Sequence, residues 1–279
     1  MFKIIGIGDN VVDRYLHLGT MFPGGNSVNV PVLARRLGAS AAYIGVLGND
    51  AAGELVKNSL ISEGVDVSHV KIMEGPNGWA DVNLVDGERV FIGSYGGVSK
   101  NISLSEDDLS FTSGFDVIHS SVYSFLERLL PAIHGTGVPI SFDFSDNYET
   151  DYINMTIRYV DYAFFSNSKD SLDDAKRMCE SAVGKGVKKA LVTRGAKGAI
   201  AFDGENFCEQ GVMKGDIVDT MGAGDAFIAS FLYGAFTGEH MADAMRNAAA
   251  YATKNCAHMG TFGYGAPMTG TPMTGTPVA

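Results

Sequence analysis

Apolar positions along the chain fall into two spacings. Near-continuous short runs occur at "FKIIGIG" (2–8), "AAYIGVLG" (41–48), "DVIHSSVY" (116–123), "VPISFDF" (138–144), "YAFFSN" (162–167) and "KALVTRG" (189–195). They read as strands buried on both faces. Between most of them, the pattern predicts helices over 26–37, 51–63, 151–159 and 169–183, with two more at about 224–236 and 241–257. Strand–helix alternation of this kind predicts an α/β fold, with a mostly parallel sheet covered by helices on both sides.

Three stretches depart from that rhythm. "ADVNLVDGERVFIG" (80–93) alternates apolar and polar residues around Asp86-Gly87, a strong hairpin signal, and predicts a small flap outside the central sheet. "AIAFDGENF" (199–207) predicts an antiparallel edge hairpin. "APMTGTPMTGTPVA" (266–279) repeats MTGTP and offers little to bury, which predicts a disordered or artificially appended tail over 265–279.

Composition narrows the functional classes. At 279 residues, 46% hydrophobic and 19% charged, the chain suits one large α/β domain or two small ones. The net charge of −11 argues against a nucleic-acid partner, since there is no basic excess to neutralise phosphates. The absence of any apolar run of about 18 residues argues against a membrane span. "MFKIIGIGDN" turns polar too soon for a signal peptide, and Cys179, Cys208 and Cys256 form no CxxC pair. A cytoplasmic location is therefore expected.

The chemistry concentrates in two glycine-containing stretches. "GIGDNV" (6–11) and "GAGDAF" (222–227) both start like a dinucleotide fingerprint, but Val11 and Phe227 stand where its third glycine belongs. No GxxxxGK[ST] P-loop is present. "DTMGAGDAF" (219–227) instead puts Gly222, Ala223 and Gly224 just before a strongly apolar helix. Helix N-termini present unpaired N–H groups and positive potential, and small residues admit an anion close to them. Asp225 beside such a hole either accepts a proton from an attacking hydroxyl or simply stabilises the helix start. In "GGNSVN" (24–29), Asn26 and Asn29 share one helix face, and Asp9, Asn10 and Asp13 follow the first strand. Short amides and carboxylates at a strand's C-terminal end suit the hydroxyls of a polyol, although each alone is more often a cap or turn residue.

Taken together, "GGNSVNVPVLARRLG…GVLGNDAAGE" (24–54) and "DTMGAGD" (219–225) resemble the N- and C-terminal signatures of the ribokinase-like (PfkB) carbohydrate kinase family, in the expected order. The resemblance runs from about residue 3 to 262. It implies a ribokinase-like doubly wound domain over 1–264, with a small β lid from about 10–24 and 77–98, and ATP-dependent phosphorylation of a sugar hydroxyl. It makes Asp225 the catalytic base and Gly222, Ala223 and Gly224 the anion hole. Asp9, Asp13, Gly25, Asn26 and Asn29 match sugar-binding positions. Asn167, Thr193, Gly195, Gly198 and Asn247 match positions around the nucleotide. "NSKD" (167–170) carries Asp170 where the family has a glutamate tied to the metal, and Asp143 is a further candidate near Mg²⁺. Asp219 matches a position that helps hold a monovalent cation such as K⁺.

Within the family, "IGDN", "FDFSD" (142–146) and the "RVF" of the flap most resemble the fructoselysine 6-kinase branch. Asp81, Glu88 and Asp146 are then candidate partners for a lysine-derived cationic arm. Other sugar kinases (for ribose, fructose or 2-keto-3-deoxygluconate) and a sugar-binding regulator without catalysis are the alternatives. The apolar face of the flap implies a cover, supplied by lid-to-lid pairing in a homodimer.

Overall fold

In the computed structural model, residues 1–85, 88–146 and 149–268 are described, so the predicted Asp86-Gly87 turn and the tail from 269 lie outside the described residues. The chain opens with β1 (Lys3–Ile7), β2 (Val11–Tyr15), β3 (Thr20–Gly24), α1 (Asn26–Arg36), β4 (Ser40–Ile44), β5 (Val46–Gly48), α2 (Ala51–Ser62) and β6 (Lys71–Met73). It continues through β7 (Trp79–Val85), β8 (Glu88–Tyr95), α3 (Glu106–Thr112), β9 (Val117–Ser121), α4 (Leu130–His134), β10 (Ile140–Asp143), α5 (Thr150–Thr156) and β11 (Tyr162–Ser166). The last part holds α6 (Leu172–Gly184), β12 (Lys189–Thr193), β13 (Ala199–Phe202), β14 (Phe207–Gln210), α7 (Ala223–Thr237), α8 (Met241–Asn255) and β15 (Ala266–Pro267).

Eight strands form the central sheet in the order β14-β13-β12-β11-β10-β9-β1-β4. The pairs from β4 to β12 are parallel, and β13 and β14 close one edge antiparallel, matching the hairpin expected at 199–207. Successive strand residues feed opposite cores. Ile4, Val117, Phe164 and Leu191 pack on the side of α1, α7 and α8, whereas Ile5, Ile118, Phe165 and Val192 pack on the side of α4 and α6. That two-sided burial is why these runs are apolar throughout.

The run "AFIASFLYGAF" has a related cause. Helix α7 is wedged between the sheet, α1 and α8, and Ala226 through Leu232 are buried on every side.

The strand predicted over 41–48 is two strands. At Gly45 a Cβ would fall 2.0 Å from the Tyr43 hydroxyl, and the chain leaves the central sheet there so that β5 pairs with β6. A second sheet, ordered β15-β3-β2-β7-β8, draws on 11–24 and 79–95, the two segments expected to build the lid. It also holds a strand the sequence reading assigned to the tail. Ala266 and Pro267 pair antiparallel with Met21 and Thr20, and the Met268 N–H donates to the Gly19 carbonyl. Among the described residues, no helix is long and apolar enough to cross a membrane.

Candidate active site

The chain lays β1, then β4 to one side of it, and then returns to place β9 on the other. In open α/β sheets, ligands bind at such a reversal, outside the C-terminal ends of the strands. A cleft of about 220 Å³ lies at the C-terminal ends of the strands beyond β9, from β10 to β12, lined by Asp143, Ser145, Thr193, Gly222, Asp225 and, from the lid, Phe91. A larger hollow of about 490 Å³ lies at the opposite end of β4, between Arg35, Ser40 and Asp66, without the converging carboxylates and bare amides of the smaller cleft. The chemistry points to the smaller one.

Its floor is the start of α7. Gly222 sits at φ +71° as the N-cap, and a Cβ there would lie 2.3 Å from Thr261, which is fully buried. Among the described residues, the N–H groups of Gly222, Gly224 and Asp225 meet no acceptor, whereas Ala223 N–H turns back 3.2 Å to the Thr220 carbonyl. The expected three-residue hole is therefore shifted. Gly222, Gly224 and Asp225 present the open amides, and Ala223 does not.

Asp225 is held by both asparagines of α1. Asn26 Nδ2 donates to its Oδ1 at 2.6 Å and Asn29 Nδ2 to its Oδ2 at 2.7 Å. The i, i+3 spacing aims the two amides at one carboxylate. Asn29 Oδ1 is buried without a partner. Burial raises the Asp225 carboxyl to about 6, with Asp9 adding repulsion and the two amides opposing it.

Asn26 Nδ2 also donates to Asp143 Oδ2 at 2.9 Å, so one amide bridges two carboxylates, while its Oδ1 faces His119 Nε2 at 2.6 Å. Both amide hydrogens of Asn26 are thus engaged, leaving only the second lone pair of its Oδ1 for a sugar. Burial, with Asp225 and Asp9 nearby, pushes the Asp143 carboxyl up to about 7.

The other expected sugar positions divide. Asp9 is buried, its Oδ1 accepting from the hydroxyls of Ser27, Ser121 and Ser124 and its Oδ2 from the Asn26 N–H. It caps α1 rather than presenting a bare carboxylate. Gly25, at φ +103°, allows that approach, because a Cβ would lie 2.7 Å from the Asn10 Cα. Asp13 is buried on β2 of the lid, with its carboxylate packed against Gly24.

On the nucleotide side, Thr193 lines the cleft. Gly195 and Gly198 bracket a tight turn, both at positive φ, and at Gly198 a Cβ would strike the Gln210 carbonyl at 2.1 Å. Asn167 and Asp170 bond to each other, Nδ2 to Oδ2 at 2.6 Å and the Asp170 N–H to Oδ1 at 3.1 Å. Asn247 is exposed on α8, bonded to Glu239, and does not line the cleft.

Two expected ligand positions already have partners within the chain. Asp219 Oδ2 accepts from the Tyr15 hydroxyl at 2.5 Å and the Gly260 N–H at 2.9 Å, and its Oδ1 from the Met221 N–H at 3.0 Å. It clasps lid strand β2 to the turn before α7 and to the loop after α8. Asp219→Ala would leave these buried donors unpaired and is expected to cost about 2–4 kcal/mol of stability, measured by denaturant unfolding. A variant as stable as the wild type would remove the clasp. Asp81, in turn, is not available to a cationic substrate arm: it forms a bidentate pair with Arg14 at 2.5 and 2.8 Å, and that guanidinium lies 3.7 Å over the Trp79 ring. The side chain of Glu88 lies outside the described residues.

Several residues of the site were not singled out from sequence: His119, Ser121, Ser124, Ser141 and Thr261. The signal for two of them, His119 and Ser121, was present. Buried strands seldom end in "HSS", and His119 and the two serines after it are buried at the C-terminal end of β9.

The pfkB family carbohydrate kinase profile matches residues 6–136 and 150–264. The chain is 45% identical over 269 residues to the fructosamine kinase FrlD of Bacillus subtilis (strain 168), covering 95% of this chain and 94% of that protein. It is 35% identical over 263 residues to the fructoselysine 6-kinase of Escherichia coli (strain K12), covering 94% of this chain and all of that one. Among solved structures, Arabidopsis thaliana ribokinase complexed with ribose and ATP superposes with a TM-score of 0.80 over 94% of each chain, at 22% identity.

Proposed function

The chain belongs to the pfkB family of carbohydrate kinases and is an ATP-dependent kinase of a sugar derivative, and from that premise we propose that its acceptor is a fructosamine of the fructoselysine type. The observation that carries the mechanism is Asp225 itself, a carboxylate raised to about 6 and held at the edge of the open amides of Gly222, Gly224 and its own N–H. The acceptor hydroxyl lies against Asp225 beneath the lid, with Asn29 Oδ1 as a ready acceptor beside it. The γ-phosphoryl group meets the amides, which stabilise charge on its equatorial oxygens. Phosphoryl transfer is loose and needs mainly positioning, so the hydroxyl gives up its proton late, to Asp225. Asp146, next to the cleft-lining Ser145, and Glu88, whose side chain lies outside the described residues, are the candidates left for the cationic arm.

Magnesium takes hard oxygen ligands and keeps much of its water. Among the described residues no group of three His, Cys, Asp or Glu side chains could hold a metal, while Asp143 presents carboxylate oxygens to the cleft. These residues fit a Mg²⁺ carried by the nucleotide and met through water, with Asp143 the contact. When bound, the ion neutralises phosphate charge. Asp219, which accepts three hydrogen bonds, keeps its monovalent-cation role as a proposal: K⁺ activation lost in Asp219→Asn supports it, and unchanged K⁺ activation removes it. The lid strand β8 exposes Val90, Phe91 and Ile92, which supports a homodimer through the lid, testable by light scattering.

A base must be ionised to act. Activity is therefore expected to fall with unit slope as the pH drops below about 6, following the Asp225 carboxyl, with a plateau above. A kcat flat down to pH 5 would exclude Asp225 as the base. The substrate is tested by ATP-dependent phosphorylation across fructoselysine, fructose, ribose and 2-keto-3-deoxygluconate. Fructoselysine is expected to have the highest kcat/KM, and a preference for any other sugar overturns the assignment.

A further inference from the structure

Among the described residues, Asn26 is the one side chain hydrogen-bonded to both cleft carboxylates, and its orientation has a cause deeper in the protein. When ionised, Asp143 and Asp225 only accept hydrogen bonds, and the amide turns its NH₂ toward both. Its Oδ1 then faces His119 Nε2 at 2.6 Å, which requires that nitrogen to carry the hydrogen. The other ring nitrogen, Nδ1, lies 2.9 Å from Ser141 Oγ and must accept from that hydroxyl. His119 and Ser141 are fully buried on the neighbouring strands β9 and β10, where they are registered against each other. The histidine is shut off from solvent, and burial keeps it neutral, with its pKa pushed down to about 3.

We propose that His119 is a positioning residue for phosphoryl transfer: its Nε2–H holds the Asn26 amide oxygen, so that the two amide hydrogens hold Asp225 and Asp143 at a set separation and direction. The Ser141 hydroxyl, which can donate or accept, satisfies Nδ1. Turned over, Asn26 would set Oδ1 against two carboxylates and its NH₂ against Nε2, and the ring would have to move its hydrogen to Nδ1. Without His119 the amide loses its anchor on the oxygen side. A base displaced by about 1 Å can lose on the order of 10²-fold in rate.

This inference rests on the kinase reading above, and its tests separate the two. His119→Gln places an amide nitrogen close to the position of Nε2 and keeps the donor to Asn26. His119→Asn reaches only as far as Nδ1, and His119→Leu supplies no donor. With ATP and fructoselysine, His119→Gln is expected to retain kcat within about threefold. His119→Leu and His119→Asn are expected to lose about 10–100-fold in kcat, with KM for both substrates changed less than about threefold. Equal kcat in the glutamine and leucine variants, at matched melting temperature, overturns the proposal, as does a loss expressed in KM alone. Should the leucine variant not fold, ¹⁵N-edited NMR of the imidazole in the wild-type protein still decides. A neutral ring protonated at Nε2 is expected at pH 8, with both carboxylates ionised, and the same tautomer is expected in Ser141→Ala, where Nε2 still meets Asn26. An Nδ1–H ring overturns the proposal whatever the activity. A wild-type protein that phosphorylates none of the panel sugars overturns the kinase reading instead and leaves the NMR result standing.

Discussion

Asp225→Asn is expected to leave ATP and sugar binding nearly intact while lowering kcat by roughly 10²–10⁴, the usual share of a general base. The substitution is close to isosteric, and the site can absorb it. The new amide would set a donor against one of the two asparagine donors, but Asn29 can turn its unpartnered Oδ1 toward it. The variant should therefore fold, and its stability carries a second readout. The Asp225 carboxyl is raised from 3.8 to about 6, so the folded state holds the proton more tightly than the unfolded chain. Its contribution to stability is fully present below about pH 3.8 and is lost as the pH rises through about 6. At pH 7.5 the ionised carboxylate burdens the fold, and removing it should make the variant at least as stable as the wild type. Near-normal turnover in Asp225→Asn, with correct folding, would refute the assignment of the base.

Gly222→Ala is expected to have the other large effect, through the backbone rather than through a reacting group. The residue lies in the left-handed region, which costs a side chain about 1–2 kcal/mol. Its Cβ would lie 2.3 Å from Thr261 Cγ2 and 2.5 Å from its Oγ1, inside a fully buried side chain with no room to move. Relief requires the turn before α7 to shift, and the amides of Gly222, Gly224 and Asp225 shift with it. Loss of a single such donor in other anion holes costs about 10²–10³ in kcat. A fall of at least about 10²-fold, with about 2–4 kcal/mol lost in denaturant unfolding, is therefore expected. Wild-type kinetics in this variant would mean that the turn carries none of the transition-state charge. Gly224→Ala is the control for stability alone: a Cβ there meets nothing within 4 Å, and wild-type unfolding is expected.

What could be read from the sequence follows its physical cause. Strands buried on both faces announce themselves as apolar runs, so β1, β9, β10, β11 and β12 were legible, and Gly222 through Asp225 before α7 marked an anion-facing turn. Asn26 and Asn29 were legible as neighbours because helical geometry alone puts them on one face. Their partner was not, because Asp225 lies 196 residues from Asn29 and only the packing of α1 on α7 joins them. The burial of Asp219 against Tyr15 and Gly260 was hidden for the same reason, and a carboxylate looks alike in sequence whether or not three hydrogen-bond donors meet it. His119 was missed because a lone histidine in an apolar run carries no period. Residues 266–268 were misread because a two-residue edge strand needs backbone hydrogen bonds, and these leave no trace in side-chain pattern.

That short edge strand bears on biosynthesis. The lid sheet contains residues near both ends of the chain, so β3 waits for Ala266 and Pro267 through nearly the whole of translation. While the nascent polypeptide is still tethered to the ribosome, one margin of that sheet stands open to other extended chains. Expression at high speed should therefore tax solubility through this margin first, and a stop placed ahead of Ala266 should give a protein that aggregates more readily than its melting temperature would suggest.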